Sequence, residues 1–193
     1  MKKLLIFLTL VTLSITNIFA LEIGSKLDTG LYYYPSINLE DSPTITFSSS
    51  IASTFDIEPI YFKFKENEIG PYISLLNVSR STVSNNTYLK KFSGSALGVD
   101  WGHYFSRRYK LNTKVAVGIG EVGETSNKEM YFDLSLIPSI LLVDKKDFDL
   151  NLNFIYNGIY RKNLFSPSAG IGIGISFDWP TSQNEKKVIV VKK

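Results

Sequence analysis

Residues 169–179 read AGIGIGISFDW, and this stretch limits the possible folds of the chain more than any other. Every second residue is large and apolar, and the residues between them are glycine, serine or aspartate. The apolar set is Ile171, Ile173, Ile175, Phe177 and Trp179. A period of two predicts a β-strand, because successive side chains of a strand point to opposite faces. Bulk on one face and almost no side chain on the other indicates an extended apolar surface on one side and a narrow enclosed space on the other.

The same alternation recurs along most of the chain. For example, Lys110, Asn112 and Lys114 alternate with Leu111 and Thr113. Charge on one face and hydrocarbon on the other is typical of a strand between two different solvents, and no segment shows a convincing helical period. The pattern predicts strands near 21–34, 43–56, 59–79, 91–106, 109–121, 129–143, 147–160 and 168–179.

The connectors between these strands alternate in length. Longer polar connectors fall at 35–42, 80–90, 122–128 and 161–167, and tight ones fall around Asp56–Pro59, Ser106–Arg108 and Asp144–Lys146. Outer-membrane barrels typically have short turns at one end, longer loops at the other and an even number of strands. We therefore predict an all-β, antiparallel, up-and-down transmembrane β-barrel of eight strands over 21–179. An extra turn within Lys65–Gly70 would instead give ten strands.

Both ends of the chain differ from this middle part. Residues 1–20, MKKLLIFLTLVTLSITNIFA, have two lysines, an apolar run and a small residue at Ala20, which predicts a secretory signal peptide. A retained N-terminal anchor is the alternative, although the apolar run is short for a spanning helix. Residues 180–193, PTSQNEKKVIVVKK, form a polar and basic C-terminal tail.

Composition excludes several classes of function. The chain has no cysteine, which excludes a disulfide framework and metal sites built on thiolates. Loss of residues 1–20 removes two lysines and leaves 19 basic and 18 acidic side chains, a balance that argues against a nucleic-acid partner. We expect no cofactor and a monomer.

Aromatic residues collect at the ends of the predicted strands. One group lies toward the longer loops: Tyr32, Tyr33, Tyr34, Tyr156, Tyr160 and Phe165. The other lies toward the short turns: Trp101, Tyr104, Phe105, Tyr109, Phe177 and Trp179. Two aromatic girdles are expected where a barrel crosses the two membrane–water interfaces, although aromatic residues also favour strands in general.

The face opposite the apolar one carries many charges, and we take these as candidate functional residues of the lumen. The set is Lys26, Asp28, Asp100, Lys110, Lys114, Asp133 and Asp149. A pore or a proton path would use such groups. A packed polar core is the favoured interpretation, because buried ions must be paired to offset their desolvation. We expect Lys110 and Lys114 to pair with Asp133 on one side and Asp100 on the other.

Two further features suggest chemistry but have simpler explanations. GIGEVG at 118–123 has the spacing of a dinucleotide-binding loop, yet a polar loop and another strand follow it, where that motif requires a helix. The only histidine, His103, has the parity of Trp101 and Phe105 and is therefore expected to face outward. A catalytic role with the nearby Ser106 would need an orienting acid as well.

The signal peptide, the two-solvent strands, the glycine-lined last strand and the aromatic ends together resemble the small eight-stranded outer-membrane barrels of diderm bacteria, the class of the OmpA membrane domain, OmpX and OmpW. The resemblance is one of pattern. Those proteins usually end on the aromatic residue of the last strand, whereas Trp179 stands fourteen residues before the end of this chain.

The resemblance implies a non-enzymatic protein of the outer membrane, either a surface structural or interaction protein or a narrow channel for small solutes. The implied partners are outer-membrane lipid, the barrel assembly machinery and an extracellular ligand at the loops. Two alternatives stay open from the sequence. One is a lipid-modifying membrane enzyme, and the other is a secreted soluble barrel that binds a lipophilic ligand with its apolar face inward.

Overall fold

The computed structural model describes residues 22–35, 37–38, 46–47, 50–79, 92–122, 128–145, 148–161 and 164–179. The predicted signal peptide and C-terminal tail lie outside these ranges. No helix occurs within them, so none of the described residues belongs to a helix that could cross a membrane.

Eight long strands close into one barrel. They are β1 (Glu22–Tyr34), β4 (Ser50–Phe64), β5 (Asn67–Ser79), β6 (Phe92–Tyr104), β7 (Tyr109–Val122), β8 (Lys128–Asp144), β9 (Asp149–Arg161) and β10 (Leu164–Asp178). Two short strands, β2 (Ile37–Asn38) and β3 (Thr46–Phe47), pair only with each other. The barrel order is β1-β10-β9-β8-β7-β6-β5-β4, and every neighbouring pair is antiparallel. The predicted fold class and the count of eight are confirmed.

Closure joins the first and last strands of the barrel. β1 pairs with β10 from Gly24 opposite Asp178 to Tyr33 opposite Ala169. No barrel strand therefore presents an unpaired edge along this stretch, which is how a barrel satisfies its backbone hydrogen bonds without water.

The two faces of the barrel are the reverse of those in a water-soluble protein. Large apolar side chains point outward, and Leu97 is 67% exposed. Charged side chains point inward, so that Lys26 and Lys114 are each only 2% exposed. An apolar outer wall is stable only against lipid or detergent. The alternative of a soluble barrel with its apolar face inward is therefore wrong.

The tight turn predicted around Asp56–Pro59 is also wrong. β4 continues through Pro59 to Phe64, and its pairing with β5 shifts between Ile57 and Phe62. Proline lacks a backbone donor and is tolerated at such an irregularity. The chain turns instead at Lys65 and Glu66, between the paired residues Phe64 and Asn67, and Lys65 has a φ of 55°. The turn in Lys65–Gly70 thus replaces the predicted one and adds no strands.

The longer connector predicted at 161–167 is wrong as well. Leu164 already pairs with Arg161, so only residues 162 and 163, which lie outside the described ranges, separate β9 from β10. In the structure Pro167 is an exposed strand residue opposite Gly158. Similarly, the strand expected to begin near residue 43 begins at Ser50.

Most of the predicted girdle aromatics do face outward. Near the turns, Trp101, Phe105, Tyr109, Phe177 and Trp179 are exposed, and near the loops Tyr33, Tyr156, Tyr160 and Phe165 are exposed. Three assignments are wrong. Tyr32 and Tyr34 are buried in the lumen, and the hydroxyl of Tyr104 reaches the lumen residue Glu68. Each lies one residue from an outward-facing position, so the alternation of the strand turns it inward.

Candidate functional site

The lumen holds the largest concentration of buried charge in the described part of the chain. At its centre, the ammonium group of Lys26 on β1 contacts three carboxylates, each from a different strand. Its Nζ lies 2.8 Å from Glu58 Oε2, 3.2 Å from Glu68 Oε1 and 2.5 Å from Asp100 Oδ2. All four side chains are at most 2% exposed. Lys26 thus ties β1 to β4, β5 and β6 across the barrel.

A second lysine bridges another pair of strands. Lys114 Nζ on β7 lies 2.7 Å from both Asp28 Oδ2 on β1 and Asp56 Oδ2 on β4. The other oxygen of Asp28 accepts a hydrogen bond of 3.1 Å from Asn153 Nδ2. The ammonium also lies 5.1 Å from the centre of the Tyr72 ring, within the range of a cation–π contact. Lys114 therefore links β7 to β1 and β4, which lie on the opposite side of the lumen.

Glu68 links the centre of the lumen to the end near the short turns. Besides Lys26, its Oε1 accepts from Lys110 Nζ at 2.7 Å. Its Oε2 accepts from the Tyr104 hydroxyl at 2.6 Å. Lys26, Lys110, Glu58, Glu68 and Asp100 therefore form one connected cluster, and charge-assisted bonds of this kind are stronger than neutral ones.

The observed pairing differs from the predicted one. Asp133 has no lysine partner in the described residues. It accepts instead from Asn157 Nδ2 at 2.6 Å and from Ser135 Oγ at 3.2 Å. Nor do Lys110 and Lys114 pair with Asp100, which binds Lys26. The prediction assumed contacts between adjacent strands, whereas these lysines are long enough to reach across the narrow lumen.

Asp149, the last residue of the predicted set, lies away from the cluster. It lines a recess of about 540 Å³ at the mouth nearest the short turns, together with Lys63, Lys110 and Asp178. At the same mouth the Tyr61 hydroxyl donates to Asp178 at 2.5 Å, and Lys63 lies 3.4 Å from Glu22. Tyr61 and Lys110 are buried, whereas Lys63, Asp149 and Asp178 are half-buried, so water reaches this end of the lumen.

The opposite half of the lumen is filled by rings and aliphatic side chains. Phe92 and Tyr131 meet edge to face with 5.2 Å between ring centres. Around them lies a buried apolar set of Tyr34, Leu76, Val78, Ile155 and Ile159. The Tyr34 hydroxyl donates to Asn157 Oδ1 at 3.0 Å, which joins this layer to the polar residues beside it. We call these seven residues the apolar layer.

Glycines on the inner face make room for these large side chains. A Cβ atom built on Gly94 or Gly118 would collide with the Tyr131 ring. One on Gly120 would collide with Phe92, and one on Gly98 with Tyr72. The prediction that small residues create space in a crowded lumen is confirmed. At these four positions the neighbours that need the space are aromatic rings, and at Gly70 and Gly174 they are the carboxylates of Glu58 and Asp28.

Several lumen residues were missed by reasoning from sequence. Asp56 and Glu58 lie within the misplaced turn and Glu68 follows it, which hid their common parity. Their alternation with Ile57 and Ile69 was the available signal. Phe92 shares its parity with Gly94 and Gly98, so its inward direction could also have been predicted from the sequence.

His103 faces outward, as expected. Its Nδ1 lies 3.0 Å from Asn67 Oδ1, and its ring packs edge to face on Phe105 at 4.9 Å. Gly118 and Gly120 both lie inside β7, so the apparent dinucleotide motif does not join a strand to a helix. Within the described ranges, no group of histidines and acids has the arrangement of a metal site.

An apolar outer wall around a closed eight-stranded antiparallel barrel with a polar interior defines the fold of the small outer-membrane β-barrels. Among solved structures, the chain is similar to Neisserial surface protein A (NspA), with a TM-score of 0.53 and 9% sequence identity over 81% of this chain and 97% of that one. This likeness shows the fold.

Two other similar structures are more distant. The attachment invasion locus protein Ail of Yersinia pestis gives a TM-score of 0.46 and 10% identity over 81% of this chain and 98% of that one. OmpT of Vibrio cholerae gives a TM-score of 0.32 and 15% sequence identity over 82% of this chain and 52% of that one. No protein-family model matches the sequence, and comparison with curated proteins gave no significant match.

Proposed function

We propose that the protein is a monomeric, non-enzymatic integral protein of a bacterial outer membrane, and that it acts through its surface as a structural or interaction protein. The observation that carries this proposal is the filled lumen inside an apolar outer wall. The wall supports membrane insertion. The lumen is occupied by the protein's own side chains, which leaves the outer surface and the loops as the parts that can meet a partner.

The interior argues for a surface role over a role as a solute channel. A solute entering from the turn end would first meet the Lys26 and Lys114 clusters, whose carboxylates bridge several strands. Beyond them it would meet the apolar layer, where Phe92 and Tyr131 are in contact. Breaking buried ion pairs costs several kcal/mol, so passage would require a large rearrangement of the lumen.

A narrow channel is the second candidate, and the recess of about 540 Å³ at the turn end favours it. The recess extends from Lys63 and Asp178 at the rim to Lys110, which belongs to the central cluster. Water and small ions can therefore approach the cluster from one side. Conduction would then depend on displacement of the apolar layer at the other end.

An enzymatic role is not proposed, and the surroundings of His103 support this choice. The ring's hydrogen-bond partner in the described structure is the amide oxygen of Asn67. Acyl-transfer chemistry would instead need a nucleophile and an orienting acid beside the imidazole. If the protein were a lipid-modifying enzyme, His103→Ala would abolish acyl release from labelled outer-membrane lipid, and we expect no such effect.

The first experiment is fractionation followed by heat modifiability. Native protein extracted from envelopes in mild detergent is compared by gel mobility before and after boiling. We expect a compact, boiling-sensitive species confined to the outer-membrane fraction. Recovery in a soluble fraction without detergent would refute the proposal.

Conductance in a planar bilayer then separates the two candidates. The inserted wild-type barrel should show no stable open state, and Phe92→Ala with Tyr131→Ala should open one. Trp101→Ala on the outer wall is the control, because it removes an aromatic side chain without enlarging the lumen. Steady conductance by the wild-type protein would favour the channel.

A further inference from the structure

A groove of about 560 Å³ lies on the outside of the barrel at the turn end. It is formed where the turn between β6 and β7 meets the last residues of β8. The pairing of Tyr109 with Ile140 is extended by a hydrogen bond of 2.9 Å from the Leu141 amide to the Arg108 carbonyl. The two segments that form the groove are therefore joined to each other by backbone pairing.

A β-bulge shapes the apolar wall of this groove. The pairing of β8 with β9 shifts between Leu141 and Val143, whose partners Asn151 and Leu150 are consecutive, so Leu142 is the additional residue. Bulges redirect side chains, and Leu142 is 55% exposed on the outside. With Tyr109, which is 56% exposed, it forms an apolar surface that continues the lipid-facing wall.

The head of the groove carries one uncompensated positive charge. Arg107 is paired with Asp144, with Nη2 2.5 Å and Nε 2.6 Å from Oδ2. Arg108 also lines the groove and is exposed, and its guanidinium has no side-chain hydrogen bond or ion pair with any described residue. The charges of Arg107 and Asp144 cancel, so Arg108 gives the groove a net positive charge.

The flanking residues place this charge at the membrane surface. Arg108 lies between Phe105, 68% exposed, and Tyr109, and both belong to the aromatic girdle at the turn end. Aromatic residues of this kind lie at the level of lipid head groups. A guanidinium at that level matches the geometry of a phosphate group, and the apolar wall beside it can pack against an acyl chain.

We propose that this groove binds a phospholipid with an anionic head group, with the phosphate at Arg108 and an acyl chain along Tyr109, Ile140 and Leu142. The proposal rests on the proposed function, since it requires the barrel to lie in a membrane. It adds one specific lipid position in the leaflet at the turn end of the barrel.

The test is native mass spectrometry of the full chain in detergent micelles with equal amounts of dioleoylphosphatidylglycerol and dioleoylphosphatidylcholine. We expect the wild-type protein to retain the anionic lipid selectively. Arg108→Gln should reduce this preference about fivefold, since one basic side chain near a membrane surface contributes roughly 1 kcal/mol. Lys65→Gln is the matched control, because it removes the same charge from the same end outside the groove, and it should keep the preference.

A second variant tests the apolar wall. Leu142→Ser should lower retention of both lipids and leave their ratio unchanged. Equal retention of the two lipids by the wild-type protein, or an equal loss in Arg108→Gln and Lys65→Gln, would overturn the groove as a lipid site. Heat modifiability of each sample distinguishes this result from failure of the proposed function, in which the wild-type chain would not form a barrel or enter vesicles of either lipid.

Discussion

Replacement of Lys114 by methionine tests whether the lumen charges hold the barrel together. The side chain is 2% exposed, and its ammonium lies 2.7 Å from carboxylate oxygens of both Asp28 and Asp56. Methionine keeps much of the volume but leaves two buried carboxylates without their cation. Removing one partner of a buried ion pair costs about 3–5 kcal/mol, so we expect the free energy of unfolding to fall by that amount.

The matched control is Lys63→Met at the mouth of the lumen. Lys63 lies 3.4 Å from Glu22, and the two side chains are 25% and 31% exposed. Ion pairs that water can reach contribute about 0–1 kcal/mol, so this variant should lose much less stability than Lys114→Met. The difference between the two variants isolates the effect of burial.

The assay is equilibrium unfolding in urea with the protein in lipid vesicles, followed by the fluorescence of the two tryptophans, Trp101 and Trp179. Adding Asp28→Asn and Asp56→Asn to Lys114→Met should restore most of the lost stability, because the unpaired charges are then gone. A loss below about 1 kcal/mol for Lys114→Met, or no recovery in the triple variant, would refute a structural role for these ion pairs.

Three further predictions concern the lumen, the outer wall and the histidine. Gly118→Val should destabilise the barrel by about 1–3 kcal/mol in the same assay, because its side chain would collide with the Tyr131 ring; no loss would show that the lumen has free space. Leu97→Arg on the outer wall should lower the free energy of unfolding by about 2–4 kcal/mol, and Phe105→Arg at the rim should lower it by only about 0–1 kcal/mol. Equal losses would contradict the placement of Leu97 in the hydrocarbon core of the membrane. His103→Ala should change stability by less than about 1 kcal/mol and leave labelled lipid unhydrolysed, as in the wild type.

The direction of most side chains could be predicted from sequence, because a strand has a strict period of two. That reasoning placed Lys26, Asp28 and Lys114 inward and Ile171 outward, as the structure has them. It failed at Tyr32, where the type of residue was allowed to outweigh parity. The hydroxyl of Tyr32 accepts a hydrogen bond of 2.8 Å from Thr54 inside the lumen.

The turns were harder to predict, because most of two predicted connectors, Asp56–Pro59 and 161–167, belongs to strands. Pro59 and Pro167 both lie within strands. Each is tolerated for a local reason: the pairing is irregular at Pro59, and Pro167 lies beyond Ala169, where the pairing of β10 with β1 ends. The two central residues of the actual turn, Lys65 and Glu66, are neither glycine nor asparagine, although the φ of 55° at Lys65 favours those residues.

Partners across the lumen could not be predicted from one strand pair at a time. Lys26 and Asp100 are 74 positions apart in sequence, and Lys114 and Asp28 are 86 apart. These contacts depend on the register of several strand pairs and on closure between β1 and β10. Sequence periodicity gives the face of each residue but not its height relative to a distant strand.

The small inner face of β10 affects how the barrel can close. Whatever the order in which the other strands pair, the circle is complete only when β10 meets β1, and Gly172 and Gly174 then come to rest against Gly30 and Asp28. The last joint therefore brings almost no bulk into the interior. The rings and ion pairs of the lumen come mainly from the other seven strands, so pairing of β10 with β1 closes the barrel without crowding them.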